Sequence, residues 1–163
     1  MTKGINLFTK RDTFLDKQQI MELFMTFSDS VGNGSIGNNA KTYNLPIPTI
    51  LKPIPLWTGK QVISALLPEI DYNGFHSTYK KNESDLPLSD DITDTRIQII
   101  DGQLISGRIC KKSIGTTSGG ILHIIFNDHG PKMALDFLDT TSKIICQWLL
   151  FNGITTLLKS VQT

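Results

Sequence analysis

The proline-rich segment of residues 45–61, LPIPTILKPIPLWTGKQ, constrains the fold of this chain more than any other stretch. Its four prolines fix their own φ angles, and each biases the residue before it towards extended backbone. We therefore predict a stiff, extended strap (residues 45–57) that ends where a helix begins. Thr58 and Gln61 have the spacing of a capping box, in which each side chain accepts a hydrogen bond from the other residue's backbone N–H. The segment carries no catalytic nucleophile, base or metal ligand, so its pattern favours a scaffold element.

Apolar residues recur at helical spacing in four segments of the chain. We predict helices over about residues 17–27, 58–67, 119–128 and 131–152. Asp16 would cap the first helix, with Gln19 at the box position. Pro131 suits the first position of the last helix, and Asn152-Gly153 predicts its end in a left-handed conformation.

The segment of residues 119–128 fits a strand as well as a helix. Ile121, Leu122, Ile124 and Ile125 form a helical stripe, whereas the three isoleucines are also typical of strands. Because Ser118 can provide an N-cap, we favour the helix.

The rest of the chain predicts a hairpin and two loops. Strand-like runs flank Asp101-Gly102, a dipeptide that tolerates the positive φ angles of a two-residue turn, so a β-hairpin is expected over about residues 96–110. Residues 32–41 are rich in glycine and asparagine and indicate a flexible loop. Residues 73–95 are polar without periodicity and predict a long surface excursion with little regular structure. The predicted fold class is α+β, a single mixed domain.

Composition narrows the function classes. A chain of 163 residues suits one domain, and its net charge of +1 excludes a surface that holds nucleic acid by bulk charge alone. Cys110 and Cys146 lie far apart in apolar surroundings, which predicts buried free thiols in a reducing compartment. No apolar run approaches membrane-spanning length, and the N-terminus lacks the apolar core of a secretory signal.

Catalysis or metal binding by this chain alone is disfavoured. His76, His123 and His129 occur without a G-x-S-x-G motif, and the histidines and cysteines lack C-x-x-C or H-x-x-x-H spacing. Lys111 and Lys112 precede a glycine-rich run, a pattern with two interpretations. They would contact an anion at a helix start, or they would be solvated side chains before an ordinary capped helix.

Four blocks of the sequence occur in a recognisable order: LFTKRDTF at residues 7–14, LKPIPLWTGKQ at 51–61, IIDGQLISGRICKKSIGTTSGGILHII at 99–125 and WLLFNG at 148–153. Together they resemble the pore domain of the largest subunit of DNA-directed RNA polymerases. The GGILHI stretch is most similar to the eukaryotic RNA polymerase II type, ahead of types I and III. The residues that carry the family signature are Lys52, Pro53, Pro55, Leu56, Trp57, Gly59, Lys60, Gln61, Asp101, Gly102, Gly119 and Gly120.

This resemblance implies a role in the wall of the pore, or secondary channel, through which nucleoside triphosphates enter and backtracked RNA is extruded. Lys111 and Lys112 match a basic pair near that route, and Lys60 and Gln61 would face the interior of the complex. The alternative for Lys60 and Gln61 is an ordinary first helical turn. The group Lys10-Arg11-Asp12 would fix a turn or a subunit contact.

The resemblance also implies partners and a location. The partners would be other polymerase subunits, chiefly the second-largest, with DNA, RNA and nucleoside triphosphates in the assembled enzyme, and a transcript-cleavage factor. The location would be the nucleus. The family's catalytic Mg²⁺ ions are held by an N-A-D-F-D-G-D loop that this sequence lacks. We therefore expect no catalytic residue, metal or cofactor in this chain, and enzyme activity only in the assembly.

The C-terminus departs from the family pattern. Family members continue G-F-S-I-G-x-x-D, whereas residues 153–158 read GITTLL. We expect a pore domain over residues 1–154 and a divergent tail over 155–163. An intact product, a fragment and an altered reading frame remain alternatives, and the alternative function is a stand-alone interaction module derived from a polymerase domain.

Overall fold

Helices alternate with short antiparallel strands along the parts of the chain that the computed structural model describes. These parts are residues 1–32, 45–78, 94–115 and 117–161, with side chains described except at 26–32 and 153–161. The elements are α1 (Thr2–Phe8), β1 (Phe14–Leu15), α2 (Lys17–Gly32), β2 (Trp57–Thr58), α3 (Gly59–Leu66), β3 (Tyr72–Phe75), β4 (Arg96–Ile100), β5 (Gln103–Ser106), α4 (Lys111–Ile114) and α5 (Ile121–Val161). The predicted α+β class is confirmed.

The four predicted helices are present, with changed ends. The helix over 17–27 extends through α2, and the helix over 58–67 is α3. The two remaining helices are the halves of α5, and Gly130 (φ 88°) separates them directly before Pro131. Ser118 is not the residue next to α5, because Gly120 precedes its first residue. The predicted stop at Asn152-Gly153 is wrong: the Asn152 side chain bonds back to the Trp148 carbonyl within the helix, and the helix continues.

The predicted hairpin is confirmed at its turn, but the predicted end of its second strand is wrong. Asp101 (φ 51°) and Gly102 (φ 72°) both have positive φ, and Ile100 pairs with Gln103 across them. The second strand ends at Ser106 rather than at residue 110, because Gly107 turns the chain with φ 86°.

The prediction of an irregular stretch over residues 73–95 is wrong at its start. Here β3 pairs antiparallel with β4, Tyr72 opposite Ile99 and Phe75 opposite Arg96, giving the sheet order β3-β4-β5. A strand stabilised by a partner distant in sequence leaves little local periodicity, so the sequence pattern missed it. Residues 79–93 of this stretch, and residues 33–41 of the predicted loop, lie outside the described residues; Gly32 belongs to α2.

The strap is not extended throughout. Ile50 and Leu56 form an antiparallel bridge with N–H···O distances of 3.1 and 2.9 Å, so the chain reverses between them. Proline fixes φ and leaves ψ free, and the proline pairs therefore permit a reversal. Both arms of the strap meet at Trp57, whose Nε1–H donates to the Pro46 carbonyl at 2.7 Å.

The core lies between α5 and the other helices and extends beneath the three-stranded sheet. Phe8 and Trp148 meet edge to face, with ring centroids 5.2 Å apart. One face of the second half of α5 is buried at Ala134, Phe137, Thr141, Ile144, Ile145 and Trp148, and Leu138 and Leu149 beside it are half-buried. Cys110 is buried as predicted, but Cys146 is exposed, because it lies about 100° around the helix from the buried Ile145. In the described part of the chain, no helix is both long and apolar enough to span a membrane.

Candidate functional site

A cleft of about 940 Å³ opens between α3, β5, the first arm of the strap and the turn after α1. We call it the α3–β5 cleft. Lys60 and Gln61 line it, together with Lys10, Arg11 and Asp94. Lys111 and Lys112 are not among its lining residues, so the cleft contains only one of the two predicted pairs.

Lys60 forms an ion pair inside the cleft. Its Nζ lies 2.5 Å from Asp94 Oδ1, and the two side chains are only 15% and 10% exposed. The same carboxylate oxygen accepts the Gly107 N–H at 2.9 Å. The ion pair of Lys60 with Asp94 therefore joins α3 to the start of β4. The contact of Lys60 with RNA or nucleotide stays a prediction.

Gln61 connects the strap to α3. Its Oε1 accepts the Thr58 N–H at 3.2 Å, and the Gln61 N–H reaches Thr58 Oγ1 at 3.4 Å, which confirms the capping box. The same Oε1 accepts from the Thr49 hydroxyl, and Nε2 donates to the Ile47 carbonyl at 2.8 Å. The side chain therefore holds one wall of the cleft in place.

Lys111 and Lys112 occupy the first two positions of α4 and are exposed. The predicted pattern placed them before a helix, but they begin a short helix of their own. Cys110 caps it: its N–H donates to Ser113 Oγ at 2.9 Å. Both ammonium groups are thus presented to solvent by a capped turn, and their contact with phosphate stays a prediction.

A partly buried polar cluster centred on His76 lies next to α4. His76 Nε2 lies 2.9 Å from Asn6 Nδ2, and His76 Nδ1 lies 2.7 Å from Thr78 Oγ1. Asn6 also donates to the Ile109 carbonyl at 3.1 Å. Burial lowers the pKa of His76, and the positive charge of Arg108 lowers it further, against a smaller opposite effect of Asp94.

Cys110 and Tyr72 belong to the same region. Burial raises the pKa of the Cys110 thiol, but hydrogen bonds from Ser113, Ser77 and Lys112 outweigh it, and the net shift is downward. Burial raises the pKa of Tyr72, and the nearby Cys110 adds to that rise. Among the described residues, no group of three or more His, Cys, Asp or Glu side chains is placed to hold a metal ion.

Several signature residues have structural reasons for their identity. Trp57 is buried against the strap, and a Cβ on Gly59 would lie 2.0 Å from the Phe8 carbonyl oxygen. That close approach lets α3 begin directly against α1. Lys52 and Pro53 are exposed in the strap reversal, where the Lys52–Pro53 peptide bond is cis.

Sequence reasoning missed Asp94 and the role of His76. Asp94 lies at the end of a polar stretch with many acidic residues, and nothing local distinguishes it. Only its position opposite Lys60, 34 residues away, identifies it. Lys10 and Arg11 were singled out in the sequence as part of a turn or a subunit contact. Their position in the cleft depends on the packing of α1, which the sequence does not give.

The chain matches the family model described as RNA polymerase Rpb1, domain 3, over residues 1–160. The chain belongs to this family. It is also 33% identical over 150 residues to DNA-directed RNA polymerase II subunit RPB1-B of Trypanosoma brucei brucei. That alignment covers 92% of this chain and 7% of the relative, so the chain spans a small part of the length of the curated relative it matches.

Proposed function

We propose that this domain forms part of the wall of the pore, or secondary channel, of a DNA-directed RNA polymerase. The observation that carries the proposal is the match of residues 1–160 to domain 3 of the largest subunit. Transcription and nucleotidyl transfer would then belong to the assembled enzyme, with other subunits, chiefly the second-largest, as partners. The polymerase II relative supports a nuclear location and the polymerase II type.

The chain's own chemistry agrees with a structural part in that enzyme. Lys60 forms an ion pair with Asp94. Among the described residues, no cluster of side chains is placed to hold Mg²⁺. In the assembled enzyme, the catalytic Mg²⁺ ions would be held by the aspartate-rich loop that this sequence lacks. The chain would contribute fixed walls and point charges along the route of nucleoside triphosphates and backtracked RNA.

Lys111 and Lys112 are the residues we propose to face this route. The two exposed ammonium groups attract phosphates as point charges, whereas arginine would bind them in a bidentate way. Point charges suit the passage of nucleotides and RNA better than tight binding. A transcript-cleavage factor that enters the same route would work next to them.

The test uses an assembled polymerase that carries Lys111→Ala and Lys112→Ala together. We expect altered backtracking and altered factor-stimulated transcript cleavage. The matched control is Lys3→Ala with Lys17→Ala, which removes two exposed cations from α1 and α2. Unchanged backtracking and cleavage in the first variant would contradict this role for the lysines.

Affinity purification of the full chain tests membership in the assembly itself. Recovery of the second-largest polymerase subunit supports the proposal. Failure to recover it supports the alternative of a stand-alone interaction module.

A further inference from the structure

The α3–β5 cleft carries uncompensated positive charge on one side. Lys10 and Arg11 line it, and among the described residues neither is in an ion pair. The charge of Lys60 is already neutralised by Asp94. Among the described lining residues, the unbalanced charges are therefore both cationic and adjacent, which favours an anionic partner.

The lining of the cleft also includes apolar side chains that are open to solvent. Ile105 of β5 is 58% exposed and Phe14 of β1 is 43% exposed, and both line the cleft. Pro46, Ala65 and Leu104 add to the apolar lining. Exposed aliphatic and aromatic side chains in a concave surface gain free energy when an apolar group covers them.

The walls of the cleft are fixed before any partner binds. The turn that presents Lys10 and Arg11 is held by the Thr13 hydroxyl and the Lys10 N–H, which both donate to the Leu7 carbonyl. On the other side, Ser64 Oγ accepts the Leu104 N–H at 2.9 Å and ties β5 to α3. A rigid site loses less conformational entropy when it binds.

We propose that the α3–β5 cleft binds an extended acidic segment of a partner polypeptide, with carboxylates at Lys10 and Arg11 and an aliphatic side chain against Ile105 and Phe14. Two cations and one exposed aromatic ring suit such a segment better than single-stranded RNA, which needs a charged groove and successive stacking platforms. The inference rests on the proposed role as one part of an assembly, and it identifies where a neighbouring chain would dock.

The test measures binding to the purified full chain, so its result does not depend on polymerase assembly. The probe is a short fluorescent peptide of alternating glutamate and leucine, followed by anisotropy. A lysine–leucine peptide and a uridine oligonucleotide are the comparison probes. We expect the acidic peptide alone to bind, and Lys10→Glu with Arg11→Glu to weaken it at least about ten-fold.

The matched control is Lys3→Glu with Lys17→Glu, which makes the same change of charge at exposed positions outside the cleft. It should weaken binding less than about two-fold. Ile105→Ser, at an exposed position that folding tolerates, should weaken binding with no change of charge. Thermal unfolding checks that every variant is folded.

Three results would overturn the inference. They are no binding of the acidic peptide, an equal loss in the two double-charge variants, and oligonucleotide binding that is lost with Lys10 and Arg11. The last result would assign the cleft to nucleic acid. None of these bears on whether the chain copurifies with polymerase subunits, so the proposed function would fail or stand separately.

Discussion

The Lys60 ammonium group lies 2.5 Å from Asp94 Oδ1, and this pair links the first turn of α3 to the residue that leads into β4. Asp94 Oδ2 is buried and has no hydrogen-bond partner in the described structure. Lys60 and the Gly107 N–H therefore supply the compensation for this carboxylate. Because the carboxylate has so few partners, the stability of the fold depends strongly on each of them.

Replacing Lys60 should destabilise the fold. In Lys60→Met we expect the free energy of unfolding to fall by about 3–5 kcal/mol, because Asp94 would remain buried without its cation. Urea unfolding measures it. The control is Lys143→Met, which removes an exposed i,i+4 contact with Asp139 at 2.7 Å and should cost less than about 1 kcal/mol. Equal losses in the two variants would show that Lys60 and Asp94 are not coupled as described.

The local elements of this fold could be predicted from sequence, and the long-range ones could not. Thr58 and Gln61 form their capping box within one helical turn, and the turn at Asp101-Gly102 depends on two residues. By contrast, β3 exists because Tyr72 and its neighbours pair with β4.

The candidate site likewise has residues that local sequence identifies and residues that only long-range contacts identify. Lys60 and Gln61 belong to the signature block and both line the cleft, while their contact with RNA or nucleotide stays a prediction. Asp94 is the ion-pair partner of Lys60, but it lies in a segment whose sequence has no motif or periodicity that would identify it. The reversal of the strap was missed because proline patterns report φ and leave ψ undetermined.

Gln61 should control the opening of the strap. Gln61→Leu keeps a similar volume and removes the bonds to the Ile47 carbonyl, the Thr49 hydroxyl and the Thr58 N–H. We expect amide hydrogen exchange at Ile50, whose N–H closes the strap bridge, to become roughly ten-fold faster, since the two exposed bonds to the strap contribute about 0.7 kcal/mol each. Gln18→Leu, which removes an exposed bond to Glu22, is the control and should leave strap exchange unchanged. Equal exchange rates in Gln61→Leu and the parent would contradict this role.

His76 should make stability depend on pH. Burial, then Arg108, lowers the pKa of His76 in the folded state, so between that value and about 6.5 the unfolded chain binds more protons. Stability is therefore full above about pH 6.5 and declines as pH falls below it. Urea unfolding at about pH 7.5 and 5.5 measures the difference, which His76→Gln should reduce.

The control for the pH prediction is His123→Gln on the exposed side of α5. This variant keeps the contacts of His76 and should retain the pH dependence of the parent protein. A parent protein that becomes more stable on acidification over this range would refute the role of His76.

Gly4 allows α1 to pack on α5. A Cβ at Gly4 would lie 2.3 Å from Ile145 Cγ2, and that methyl group is fixed in the core. Alanine favours helix by about 1 kcal/mol over glycine, but overpacking costs about 1–3 kcal/mol, so we expect Gly4→Ala to lower stability. Adding Ile145→Leu removes the Cγ2 methyl and should restore part of the loss. Lys3→Ala, at the exposed neighbouring position, should change stability by less than about 0.5 kcal/mol. If Gly4→Ala raises the midpoint of thermal unfolding, helix propensity outweighs this contact and α1 does not pack as closely as described.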